Sequence, residues 1–148
     1  ISSISIEKAE YASSLWAYAG LDVVNGAGRS RKKEHLVETT YTDADGKEQT
    51  KMGISFNPFL KTKLIGVLGS SFVKTNGVYR EVYDNYKHRI SNMPAHAEKS
   101  KGHLNNMAIR YTVKRFLVDL YYHWREIEGL PIAAEYSEAK LKMTHKAA

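Results

Sequence analysis

The chain has no cysteine, which excludes a disulfide framework, a thiolate zinc site and a thiol nucleophile, and points to a reducing, cytoplasmic setting. It also lacks any apolar run near the ~20 residues that span a bilayer, so no membrane partner is expected. Its opening, Ile1-Ser2-Ser3-Ile4, does not follow the basic-then-apolar order of a signal peptide. A start without methionine suggests a piece of a longer chain. The histidines show no ligand spacing, whether His96 is set against His103 or His123 against His145, so no metal site is expected within the chain. Asp43 and Asp45 lack the third ligand and terminal glutamate of a calcium loop, and a turn accounts for them.

What is present suits one globular domain: 148 residues, 43% of them hydrophobic, can bury a core. The net charge of +6 favours polyanionic partners. Ile6, Ala9, Ala12, Leu15, Trp16 and Ala19 recur at helical spacing and predict a helix over 5–18, stopped by Gly20. Residues 22–33, with Asn25-Gly26-Ala27-Gly28, read as a flexible loop, mobile over 24–34. Residues 35–41 and 47–54 predict a β-hairpin around Gly46, a ribbon of a kind that can enter a DNA groove.

Asn57-Pro58 opens a helix to about Lys74, as N-cap and first-turn proline. Helices over 78–90 and 103–128 follow, the last with an apolar stripe of Ile109, Val113, Phe116, Leu120, Trp124 and Ile127, ended by Gly129 and Pro131. The expected fold is mainly α with one hairpin (α+β), about four helices, as one domain over 1–132 with a frayed polar tail over 133–148. Trp16, Tyr18, Tyr83, Tyr86, Tyr111, Tyr121 and Trp124 read as core before base-stacking residues.

Chemistry concentrates in Ala27-Gly28-Arg29-Ser30-Arg31-Lys32-Lys33-Glu34-His35-Leu36. A hydroxyl among fixed cations can grip or attack a phosphodiester, because the cations offset the charge of the phosphate oxygens. Arg29, Arg31, Lys32 and Lys33 are candidate phosphate contacts here, with Lys61, Lys63, Arg110, Lys114 and Arg115 on the helices. Each of these also fits a solvated face. His35 can serve Ser30 as a base only if the loop folds back on itself.

Several stretches, in order, resemble a known family: Ser14-Leu15-Trp16-Ala17-Tyr18-Ala19-Gly20-Leu21-Asp22, Gly28-Arg29-Ser30 to Leu36, Met52-Gly53-Ile54-Ser55-Phe56-Asn57-Pro58-Phe59-Leu60, and Lys101-Gly102-His103 through Tyr121-Tyr122-His123-Trp124-Arg125 to Gly129-Leu130-Pro131. The family is the insertion-sequence transposases that join a RuvC-like DEDD nuclease domain to a C-terminal serine transposase domain, the RNA-guided bridge recombinases. The resemblance implies that Ser30 is a nucleophile that joins DNA as a phosphoserine. It implies Mg²⁺ held by carboxylates of a nuclease domain elsewhere in a longer protein, so that this fragment alone binds nucleic acid without cleaving it. It further implies DNA and guide-RNA partners, homo-oligomers, and a prokaryotic, nucleoid-associated setting. A non-catalytic nucleic-acid module and a structural or oligomerisation domain remain open alternatives.

Overall fold

The computed structural model describes residues 3–135; the polar tail from 136 lies outside the described residues. Among the described residues the fold has four helices, a long two-stranded hairpin and a short two-stranded pair, and is mainly α, as the sequence predicts.

Helix α1, Ala12–Tyr18, is shorter than its periodicity suggests. Ile6 and Ala9 are buried as expected, yet the segment carrying them is not helical. Arg125 Nη1 donates to the carbonyls of both Ile6 and Ala9 at 2.9 Å, using acceptors that a continuous helix would keep for its own amides. The helix begins where Ser14 Oγ accepts from the Tyr11 N–H. It ends in a Schellman turn, with Leu21 N–H on the Trp16 carbonyl and Gly20 N–H on that of Ala17, and Gly20 supplies the φ of +66° the turn requires.

Residues 22–29 are not an open loop. Strands β1, Val23–Val24, and β2, Ala27–Gly28, pair antiparallel about Asn25 and Gly26, both at positive φ, the pattern of a type I′ turn. A 3₁₀ turn, Lys33–His35, leads into β3, Val37–Thr42, which pairs with β4, Glu48–Gly53. The Asp43 carboxylate accepts from the amides of Asp45 and Lys47 at 3.0 and 2.9 Å, so it caps the turn as the sequence implies.

Helix α2 covers 58–74. Asn57 caps it, its side chain accepting from Leu60 N–H at 2.9 Å, and Pro58 takes the first turn. Its middle, Lys63–Gly69, winds as a π-helix. Gly69 lets it approach the next helices closely, since a Cβ there would lie 2.6 Å from Ile109 Cγ2. Helices α3, Val78–Ser91, and α4, Lys101–Ile127, follow.

Helix α4 is the central element, packed by α1, α2 and α3. Leu104, Ala108, Val113, Leu117, Val118 and Tyr121 line its buried stripe, joined by Leu15, Leu60 and Leu64 from its neighbours. The predicted stripe drifts at its end, where Ile127 is 82% exposed. Of the aromatics read as core, Tyr83 and Tyr121 are buried, Trp16, Tyr86, Tyr111 and Trp124 are half-buried, and Tyr18 is exposed. Where the tail was expected to fray, Ala133 N–H donates to the Tyr121 hydroxyl and Glu135 pairs with Arg115 at 3.6 Å.

Candidate active site

The site follows from a hairpin register. Pairing 24 with 27 and 23 with 28 sets Asp22 opposite Arg29, whose N–H donates to the Asp22 carbonyl at 3.0 Å. Their side chains meet on that rung: Arg29 Nε lies 2.8 and 3.0 Å from the two carboxylate oxygens and Nη2 2.6 Å from Oδ2. This fork holds Arg29 above the ordinary arginine value. Arg29 Nη1 also donates to Ser55 Oγ at 2.7 Å. Arg29 therefore braces the loop, where the sequence reading had it on phosphate.

Three other cations converge here. Lys61 Nζ donates to the Arg29 carbonyl at 2.7 Å, the peptide oxygen that joins Arg29 to Ser30, and lies 4.7 Å from the Phe56 ring centroid. Arg110 fills the space above Gly28, where a Cβ would stand 2.7 Å from Nη1; its contact to the Gly20 carbonyl, 3.5 Å, is too long to hold it firmly. Lys114, one turn along α4, sits 4.1 Å from the Trp16 ring centroid, and Trp16 Nε1 donates to the Lys114 carbonyl at 3.2 Å.

Burial holds Lys61, Arg110 and Lys114 below their ordinary values, and for Lys61 the charge of Arg110 adds to it. Asp22 is the carboxylate that acts on all three, and Arg29 already clasps it. Positive charge is thus left in excess in a partly desolvated place, where an anion gains most. Beside it a cleft of about 470 Å³ opens between α2 and α4, lined by Lys61, Thr62, Ile65, Gly66, Asn106 and Arg110.

Ser30 follows the carbonyl that Lys61 holds, and the chain does fold back on it. His35, 3% exposed, places Nδ1 2.9 Å from Ser30 Oγ and 3.0 Å from Ser30 N. Lys32 N–H donates to the same Oγ at 3.3 Å. The 3₁₀ turn makes this possible, with His35 N–H on the Lys32 carbonyl at 2.9 Å.

Of the residues singled out from sequence, the structure gathers Arg29, Ser30, Lys61, Arg110 and Lys114. Arg31, Lys32 and Lys33 are exposed on the adjoining loop, Arg31 near enough to act on Lys61. Lys63 points away, over Phe59 at 5.4 Å, and Arg115 lies elsewhere with Glu135. Sequence reading missed Asp22, although an Asn-Gly turn at 25–26 fixes its partner as residue 29. Trp16, which the sequence marks as a core candidate, seats Lys114; Phe56, the seat of Lys61, is given no role by the sequence.

The resemblance places its Mg²⁺ on carboxylates of a nuclease domain outside this chain. Asp22 is bound by Arg29 among cations, Glu34 is an exposed side chain, and among the described residues no three His, Asp or Glu side chains gather as a ligand set. Among the described residues no helix is long and apolar enough to cross a membrane. Comparison with family models, curated proteins and solved structures finds no match to the chain.

Proposed function

We propose that this chain is the serine-bearing strand-transfer domain of a DNA transposase or recombinase, in which Ser30 attacks a phosphodiester and holds the strand end as a phosphoserine. The observation that carries the reading is the seat of Ser30: the peptide oxygen before it is held by Lys61, near Arg110 and Lys114, on which, among the described residues, only Asp22 acts as a carboxylate, itself clasped by Arg29. Phosphate oxygens supply the missing negative charge, and a phosphoserine conserves the bond energy for religation. The ordered resemblance of four stretches to serine transposases supports the same reading. With it come DNA, a guide RNA and a higher-order assembly as partners, and a Mg²⁺-dependent nuclease domain outside this chain.

A second reading has its own support in the exposed Arg31, Lys32 and Lys33: a non-catalytic module that holds phosphates, with Ser30 merely donating a hydrogen bond. One pair of variants in the full-length protein separates the two. Ser30→Ala is expected to abolish strand exchange while DNA binding stays within about twofold. Lys61→Glu with Arg110→Glu is expected to weaken binding and flatten its salt dependence, by a log–log slope of roughly 1 per lost phosphate contact. Strand exchange at the normal rate by Ser30→Ala contradicts the transferase reading.

A further inference from the structure

We infer that His35 is the general base for Ser30, so that the proton-removal step of its attack on phosphorus is built into a single turn of this chain. The inference rests on the strand-transfer reading, and deepens it by naming the group that receives the serine proton.

The hydrogen-bond directions decide the roles. A backbone N–H can only donate, and Ser30 N–H points at His35 Nδ1 at 3.0 Å. Nδ1 is therefore the unprotonated, accepting nitrogen, and the ring proton resides on Nε2. Ser30 Oγ, 2.9 Å from the same Nδ1, must then be the donor. Lys32 N–H, at 3.3 Å, occupies an acceptor side of Oγ and favours negative charge there. The hydroxyl is thus pre-aimed at a base within the range such pairs show.

Burial fixes this arrangement. His35 is held by the 3₁₀ turn with its ring nearly out of solvent, and the Glu34 carboxylate lies 3.9 Å from Nε2, on the side where positive charge forms when the ring is protonated. The loop around them carries Arg31, Lys32 and Lys33, and Lys61 approaches from α2. A histidine that only propped up the loop would need the Ser30 N–H contact; the Oγ contact adds the alignment that proton transfer requires.

The step balances with water as the one further reagent. The Oγ–H bond breaks and its proton passes to Nδ1, leaving an imidazolium; the Oγ electron pair forms the bond to phosphorus. The bond from phosphorus to the leaving oxygen breaks with its electron pair, and on a DNA strand that oxygen takes a proton from water. When a DNA hydroxyl later attacks the phosphoserine, its proton passes to the hydroxide left by that water, the P–Oγ bond breaks, and the imidazolium returns its proton to Oγ.

An alkyl fluorophosphonate tests this without DNA, because fluoride leaves without a proton. The chain is incubated with the probe, and the adduct is mapped by peptide mass spectrometry. Labelling at Ser30 is expected, absent in Ser30→Ala and slowed roughly 100-fold in His35→Gln, within the 10²–10⁴ that a positioned base supplies. Ser30 unlabelled in the native chain, or labelled as fast in a folded His35→Gln variant, overturns the inference. Should that variant fail to fold, ¹⁵N spectra of the native imidazole decide: an unprotonated Nδ1 is required, and a proton on Nδ1 overturns it. Probe labelling that needs His35, in a full-length protein that never joins DNA, contradicts strand transfer and supports this inference. DNA joining through Ser30 at an unchanged rate in His35→Gln does the reverse.

Discussion

At the scale of single residues, two glycines separate stability from binding. Gly20 sits at φ +66° with the buried Phe56 ring 2.5 Å from where a Cβ would be, so neither backbone nor neighbour can yield cheaply. Gly20→Ala is expected to cost roughly 2–4 kcal/mol, read as a fall in the denaturation midpoint. At Gly28 the obstruction is the end of the Arg110 side chain, which can swing away. Gly28→Ala is expected to leave stability within about 1 kcal/mol while lowering DNA affinity severalfold, by displacing Arg110 from the cleft. Equal losses of stability for the two variants would contradict this division. The sequence singles out Ser30 readily, by its cations, but its contact with His35 depends on a 3₁₀ turn that no periodicity signals. Arg29 shows the opposite case: a plausible phosphate ligand by composition, claimed by Asp22 once the turn type is set.

Among elements, those with strong local punctuation are the ones legible in advance. Asn57-Pro58 marks the start of α2, Gly46 the turn of the long hairpin, and Gly129 the end of α4. Where a tertiary contact competes with local preference, the pattern misleads. The periodic segment before Ala12 stays irregular because Arg125, more than a hundred residues away, takes its carbonyls. The β3–β4 arm buries none of its strand residues, and its strands contact chiefly each other. Its four carboxylates, Glu38, Asp43, Asp45 and Glu48, outnumber Lys47 and Lys51, leaving −2 on a chain of +6. That charge sets it against lying in a nucleic-acid groove. Replacing 39–51 by a short turn is expected to shift stability by less than about 1 kcal/mol, measured by thermal denaturation, because it removes no core contact. Loss of cooperative unfolding would show that the arm supports the core.

For the whole molecule, α4 gathers the core on one side and presents Arg110 and Lys114 beside the Ser30 loop on another, so packing and charge are organised by one helix. Net charge alone pointed to a polyanion without saying where; the cluster appears only when residues 22, 29, 61, 110 and 114 are brought together by the fold. The proposed strand transfer requires that Ser30, next to the carbonyl that Lys61 holds, becomes joined to DNA. Its most direct measurement is peptide mapping after incubating the full-length protein with Mg²⁺ and a cognate DNA substrate, quenching, and separating under denaturing conditions. A DNA-linked peptide that contains Ser30 and is lost in Ser30→Ala is expected. DNA bound but never joined, or joined through another residue, would contradict it.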